Sequence, residues 1–190
     1  MKDLFEKVKN LLFDPVNSWN IIKEEQMDIK KFLFSYVFIL AAIRPICQFI
    51  GFVILGRAFG FKISFFGGIF SLAISYVISV GGLFLASFIM GQLSTTLNYK
   101  KDFQEHFKLI CYSLTPYWIL SAFYIIPPIS LISIIGALYS LYLLYLGAPI
   151  IIDVSKEKII IYILIVIIIL IIIYSSNNLL LFGSLIPVRR

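Results

Sequence analysis

The sequence predicts an all-α polytopic membrane protein with five transmembrane helices and a short amphipathic N-terminal helical segment. Of its 190 residues, 61% are hydrophobic and only 14% are charged, whereas soluble domains carry about 25% charged residues. The charged residues separate apolar runs of about twenty residues, the length that a helix needs to cross a bilayer. The net charge is +6, and the cationic residues lie beside these runs, where cations set topology and contact anionic lipid. No nucleic-acid partner is therefore expected.

The N-terminal segment, residues 1–31, is expected to be cytoplasmic. Apolar residues at positions 4, 5, 8, 11 and 12 fall on one face of a helix. This pattern predicts either an interfacial helix along the membrane surface or a helix docked on the protein's own cytoplasmic loops. Asp14-Pro15 is typical of a helix start and begins a second helix. Trp19 in that helix suits the head-group region, and Glu25 lies in a charged run typical of a solvated face.

The first predicted span, residues 32–56, carries Arg44 near its middle. An arginine at bilayer depth costs at least about 2.5 kcal/mol on insertion scales, and no acidic residue lies in any predicted span. Pro45 leaves a helix carbonyl without its usual N–H donor. Arg44 is therefore expected to donate to such carbonyls, to Gln48 or to tyrosine hydroxyls. It is either a structural clamp inside the bundle or a site for a ligand.

The second predicted span, residues 64–92, has small residues at four-residue spacing, which indicates a helix-packing face. These residues are Gly67, Ser71, Ser75, Ser79, Gly82 and Ala86. The last predicted span, residues 159–174, is rich in isoleucine and has no small-residue stripe. It is therefore expected to be a peripheral helix that faces lipid.

Residues 107–149 form two apolar runs separated by Pro127-Pro128, which predicts an antiparallel helical hairpin. Residues at the same depth then have numbers that add to about 255, which pairs Pro116 with Tyr139 and Leu109 with Gly147. Gly147 is expected to allow a close approach. Pro116 is expected to face protein, and the Tyr139 hydroxyl to bond the Tyr112 carbonyl that Pro116 leaves free.

No catalytic or cofactor-binding motif is present, so we expect no enzyme activity, no metal site and no cofactor. The chain lacks HExxH, Gly-x-Ser-x-Gly and phosphate-binding glycine loops. Its one histidine, His106, is expected to be an interface residue at the membrane edge. Cys47 and Cys111 are expected to be inert buried thiols.

The order of several residues resembles the Ypt-interacting (YIP) domain membrane protein family. The N-terminal part of the pattern is Pro15, Trp19, Ile22 and Glu25. The second half is Tyr112 to Pro116, Pro127, Tyr139, Tyr142 and Leu146-Gly147. The resemblance covers roughly residues 10 to 175. It implies a five-helix domain, here residues 32–182, with a cytosolic N-terminus and a short tail, residues 183–190.

The resemblance also carries expectations about function. Eukaryotic members act in vesicle traffic, bind Rab-type GTPases and associate with related membrane proteins. This chain has neither their long hydrophilic N-terminal region nor their Asp-Leu-Tyr-Gly-Pro motif, so it is similar to the prokaryotic branch and a small GTPase partner is not expected. The expected partners are the lipid bilayer and either the protein itself or other membrane proteins.

Two functions are consistent with these residues. The first is a non-enzymatic protein of the cell membrane that organises the membrane or acts as an adaptor or in trafficking, with a cytoplasmic interaction face. The alternative is a small transporter or channel in which Arg44 coordinates an anionic ligand. Solvent access around Arg44 discriminates between the two functions.

The positive charges predict that the two termini lie on opposite sides of the membrane. Eleven lysines lie on the N-terminal side of a five-span topology and four cations on the other, so the N-terminus is expected to be cytoplasmic. Reporter fusions after Lys9 and after Arg190 are expected to report opposite sides. Activity of both fusions on the same side of the membrane would contradict this topology.

Overall fold

A computed structural model describes residues 2–60, 64–97, 99 and 102–183, and every regular element in these ranges is helical. The predicted all-α fold is therefore confirmed. Most of the predicted tail, residues 184–190, lies outside the described residues, as do Lys62, Lys100 and Lys101. The helices are α1 (Lys2–Phe13), α2 (Pro15–Glu24), α3 (Ile29–Ile54), α4 (Phe65–Leu97), α5 (Phe103–Ser113), α6 (Thr115–Leu120), α7 (Ser133–Ile151) and α8 (Ile159–Gly183).

Three apolar helical stretches of the described chain are long enough to cross a membrane. They are Ile29–Ile54, Phe65–Ser94 and Pro127–Ile151. In α8 the apolar stretch Ile159–Ile173 is shorter, and the run between α5 and the central turn is broken. The number of five spans therefore stays a prediction.

The first long helix, α3, is irregular where proline removes a backbone donor. A turn at Ala42 interrupts the α-helical pattern beside Ala41, the residue whose carbonyl Pro45 leaves without a donor. Two π-helical stretches, Leu33–Val37 and Ile50–Ile54, widen the helix on either side. The helix begins at Ile29, three residues before the predicted start at Phe32.

The run after α5 is broken by Pro116. The α-helical pattern stops at Ser113 and resumes at Thr115, so Pro116 lies in the first turn of α6, where a missing N–H is tolerated. Two 3₁₀ segments, Ser121–Ile125 and Pro127–Ile132, then flank an extended Ile126 and form the turn into α7. Pro116 is buried, which confirms that it faces protein.

The depth register of the central hairpin is confirmed. The Tyr117 amide donates to Ser140 Oγ at 3.3 Å, and Leu109 lies beside Gly147, so both pairs of residue numbers add to within two of 255. Gly136 lies against α6, since a Cβ there would be 2.7 Å from the Pro116 carbonyl oxygen. The small residues of α7 therefore let the two helices approach closely.

The N-terminal segment forms a second helical hairpin, which packs along α7. Lys7 of α1 pairs with Glu25 at the end of α2, so the two helices run antiparallel with a tip at residues 13–15. Trp19 lies on Gly147, and the Tyr139 hydroxyl donates to the Leu12 carbonyl at 2.7 Å. Neither sequence alternative described this placement, because α1 and α2 dock on a helix of the bundle rather than on loops.

The small-residue face of α4 packs inside the bundle, as predicted. Ser75, Ser79 and Ala86 are buried. A Cβ at Gly82 would lie 2.6 Å from Ile173 Cγ2 of α8. The peripheral helix therefore packs against α4, while much of its isoleucine-rich surface stays exposed.

The contact between Gly136 and Pro116 predicts that Gly136→Ala destabilises the protein. The added methyl meets backbone, which cannot rotate away, and overpacking of this kind costs about 1–3 kcal/mol. We expect a lower Tm in mild detergent. Gly81→Ala in α4 is the control, because nothing lies within 4 Å of its added Cβ. Equal Tm values for the two variants would contradict this contact.

Candidate functional site

An aromatic cluster joins α2, α3 and α5 around Tyr112. The Tyr112 ring centroid lies 4.7 Å from that of Tyr36 and 4.9 Å from that of Phe32. The Trp19 ring meets it edge-on at 6.3 Å. The Tyr36 hydroxyl shares a 2.7 Å hydrogen bond with Thr115 Oγ1. This cluster fixes the first long helix and the N-terminal hairpin to the same side of α5.

Trp19 is fully buried, so its ring packs inside the protein, and its expected place at the depth of the head groups stays a prediction. Its indole lies over Gly147, where a Cβ would be 2.6 Å from Trp19 Cε2. The same Cβ would also meet Leu109 of α5. Any side chain larger than glycine would displace the indole, so the predicted close approach at Gly147 is chiefly that of Trp19.

A buried lysine holds the end of α2. Lys108 is only 2% exposed, and its Nζ donates to the Glu25 carbonyl at 3.2 Å and to Glu105 Oε1 at 3.3 Å. A cation at the carboxyl end of a helix satisfies its last carbonyls and the helix dipole. The Glu25 carboxylate turns the other way, and both of its oxygens lie 2.7 Å from Lys7 Nζ.

A recess of about 50 Å³ opens between α1 and α2 beside this ion pair. It is lined by Lys7, Asn10, Ser18, Ile21, Ile22, Glu25 and Tyr112. Ser18 is 6% exposed, and its Oγ has no hydrogen-bond partner among the described residues. The recess therefore combines one cation, one anion and a buried hydroxyl without a partner.

His106 is fully buried among protein side chains, and its expected place at the membrane edge stays a prediction. Its Nδ1 lies 3.2 Å from the Tyr162 hydroxyl of α8, and its ring stacks on Tyr162 and meets Tyr99 edge-on. The Tyr99 hydroxyl donates to the Met90 carbonyl, and burial raises the pKa of Tyr99 to about 12. The Tyr99 hydroxyl therefore stays a donor even above its ordinary pKa, and its hydrogen bond holds the ring against the histidine.

Tyr139 does not bond the Tyr112 carbonyl, so that prediction is wrong. Its hydroxyl donates to Leu12 instead. The residues of α7 that face α6 are Gly136 and Ser140, and Tyr139 is one position, about 100°, away from Ser140 on the helix. The Tyr142 ring is tilted by 51° against that of Tyr139, with ring centroids 5.5 Å apart, and Tyr142 is 47% exposed.

Arg44 lies apart from this site, in the bundle near the central turn. It is 6% exposed, and its guanidinium carbon lies 5.7 Å from the Tyr117 ring centroid and 5.6 Å from that of Tyr124. Both distances fall in the cation–π range. From the sequence, Arg44 was expected to contact tyrosine hydroxyls. In the structure its guanidinium also lies over the ring faces of two tyrosines. Pro45 is buried beside it on α3.

The structure thus brings Trp19, Glu25, Tyr112 and Gly147 together at one end of the bundle. It places Pro116, Tyr139 and Tyr142 further along the hairpin, and Arg44 with Pro45 beyond them. Sequence reasoning missed Lys7, Ser18 and Lys108 as members of the site. The signal for Lys108 was its place at the start of an apolar run, where Leu109-Ile110-Cys111 follow it directly.

The family model that describes the Yip1 domain matches residues 9–176. The chain belongs to the Yip1 domain family. This confirms the resemblance, and the Yip1 domain includes α2, whose Trp19 and Glu25 build the site. Membership of this family and the three long apolar helices of the described chain both indicate a membrane protein.

Curated relatives point to the same class of protein. The chain is 25% identical over 158 residues to the "Inner membrane protein YohC" of Escherichia coli strain K12, covering 80% of this chain and 81% of the relative. The YohC protein of E. coli O6:H1 strain CFT073 matches to the same extent. No solved structure matches the chain. The chain is thus similar to a bacterial inner membrane protein.

The Tyr139 hydrogen bond predicts that Tyr139→Phe loosens α1. Loss of one hydrogen bond removes about 0.5–1.5 kcal/mol, so we expect amide hydrogen exchange to accelerate in α1 more than elsewhere. Exchange in mild detergent, followed by mass spectrometry, measures this change. Tyr142→Phe is the control, because this neighbouring ring is half exposed. Unchanged exchange in α1 of the Tyr139 variant would show that the Leu12 contact does not hold the helix.

Proposed function

We propose that this Yip1 domain organises the surrounding membrane by holding the tip of its N-terminal hairpin in the cytoplasmic leaflet. The observation that carries the proposal is the position of that tip. Leu12 bonds Tyr139, and Tyr139 lies twelve residues, or about 18 Å, before the end of α7 at Ile151. The tip therefore reaches well along the apolar part of the bundle.

The helix lengths support an approximate membrane boundary. Counting about 30 Å of hydrocarbon from Pro127, at about 2.0 Å per 3₁₀ residue and 1.5 Å per α residue, reaches about residue 145. Tyr142 and Tyr145 are about half exposed there, which suits an aromatic belt. Tyr139 is six residues, or about 9 Å, deeper, within the range at which interfacial helices bury their apolar face.

The side chains at the tip suit this depth. Phe13 is 82% exposed and Val16 is 53% exposed, although the same hairpin buries Leu11 and Trp19. Asp14 lies between them, and its carboxylate accepts hydrogen bonds from the backbone amide and the side chain of Asn17. A tip held rigidly by the bundle adds area to one leaflet only, which favours curvature toward that side. An adaptor or trafficking role would use the cytoplasmic face that carries this hairpin. It would need a partner at that face, either a second copy of the chain or another membrane protein.

The environment of Arg44 supports a structural role rather than the alternative transport function. Its guanidinium lies over two tyrosine rings, and arginine stacks on aromatic faces at low desolvation cost. We therefore propose a non-enzymatic membrane organiser and place ligand coordination by Arg44 second.

Depth measurement tests the position of the tip. In a background with Cys47 and Cys111 replaced by alanine, a fluorophore attached at Asn17→Cys is expected to be quenched by nitroxide-labelled lipids. The same fluorophore at Glu24→Cys, on the far end of α2, is expected to be quenched by aqueous iodide instead. Stronger iodide quenching at both positions would place the whole hairpin in water and overturn the proposal.

Vesicle size tests the function. Phe13→Ser with Val16→Ser is expected to give larger reconstituted vesicles than the parent protein at the same protein-to-lipid ratio. Phe5→Ser is the matched control, because Phe5 is 71% exposed on the same helix but far from the tip. Equal sizes for all three proteins would show that the tip does not shape the bilayer.

A further inference from the structure

We propose that the recess between α1 and α2 binds a head group that carries both a primary ammonium and a phosphate. The recess is electrically neutral, with Lys7 and Glu25 paired beside it at side-chain exposures of 42% and 39%. An exposed pair of this kind contributes little to stability, so it is able to exchange its partners for those of a ligand. The proposal rests on the proposed function for one point, the access of a lipid to the recess.

The chemistry of the lining matches an exchange of ion pairs. A ligand ammonium replaces Lys7 Nζ on the Glu25 carboxylate, and its three N–H donors also have the Ser18 Oγ and the Tyr112 hydroxyl as acceptors. The displaced Lys7 then binds the ligand phosphate. One internal ion pair becomes two ligand ion pairs, and the net charge of the recess stays zero.

The same chemistry predicts selectivity among head groups. A phosphoglycerol head group has no ammonium, so its phosphate would take Lys7 and leave the Glu25 carboxylate facing like charge. A phosphocholine head group has no N–H to donate to Glu25 or Ser18. Phosphoethanolamine satisfies both ends of the recess and is the head group that fits.

Two further observations point to a ligand in this place. The buried Ser18 Oγ lacks a partner among the described residues, and a buried polar atom without a hydrogen bond is costly. The recess is also lined by Ser18, the chain neighbour of Trp19, and Trp19 lies on Gly147, close to the residue-145 boundary estimated above. A head group at the edge of the leaflet reaches this height without leaving its layer.

Lipid retention tests the proposal. The full chain is extracted from vesicles with equal amounts of phosphatidylethanolamine, phosphatidylcholine and phosphatidylglycerol of one acyl composition, and co-purified lipid is measured by native mass spectrometry. We expect the parent protein to prefer phosphatidylethanolamine. Glu25→Gln and Ser18→Ala are expected to lower that preference, with Glu25→Gln losing about tenfold, the effect of one hydrogen bond to a charged group. Lys23→Gln is the matched control, because it removes an ion pair with Asp153 that is also exposed to solvent, at 46% and 52%.

A second arm identifies the source of the head group. Soluble O-phosphoethanolamine is titrated against the delipidated protein, and competition with the bound lipid would assign the same recess to both. Binding of the soluble compound without lipid preference would assign a free metabolite as the source and keep the proposed chemistry.

Two results would overturn the proposal. Equal retention of the three lipids by the parent protein, with no binding of O-phosphoethanolamine, would mean that the recess holds only water. A phosphatidylethanolamine preference that survives Glu25→Gln would place the lipid elsewhere. If the Asn17 fluorophore is deep but no head group is preferred, the site fails while the proposed function stands. If phosphatidylethanolamine is preferred but the Asn17 fluorophore is shallow, the site stands while the proposed function fails.

Discussion

The packing of Trp19 on Gly147 is the contact on which one end of the bundle depends. It joins α2 to α7 with no room for a side chain at position 147. Because α2 is fixed there, its last carbonyl, on Glu25, reaches the buried amine of Lys108, and its carboxylate reaches Lys7. The ion pair lies beside the recess between α1 and α2. One glycine thus sets where the end of α2, with Glu25, meets Lys108 and Lys7.

The other hairpin depends on the break at Pro116. Without an N–H at this residue, the chain starts a new helical turn at Thr115. The Thr115 hydroxyl shares a hydrogen bond with the Tyr36 hydroxyl of the first long helix. Gly136 brings α7 against the same turn. The proline therefore sets where three helices meet, and the aromatic cluster around Tyr112 fills the space above it.

The sequence was enough to predict which residues of the central hairpin lie at the same depth. It was not enough to predict how α7 is rotated about its own axis. Two helices that leave a short turn rise at similar rates, so the Pro127-Pro128 turn was enough to pair Leu109 with Gly147. The rotation of α7 depends on which of its faces carries the smallest side chains. Gly136 and Ser140 form that face and pack against α6, so Tyr139 points toward the N-terminal hairpin. The burial of Trp19 and His106 was equally out of reach, because both lie against helices distant in sequence and neither has a local pattern that names its partner.

The irregular backbone near the central turn explains why an arginine is tolerated inside the bundle. Non-helical backbone at membrane depth persists only where protein covers it, and the 3₁₀ segment Ser121–Ile125 lies against α3. Gly51 permits the contact, since a Cβ there would collide with the Tyr124 carbonyl. About two turns earlier on α3, the Arg44 guanidinium lies over the rings of Tyr117 and Tyr124. Its long apolar stem fills the bundle while the guanidinium rests on aromatic faces, so the cation is accommodated without any carboxylate in the spans.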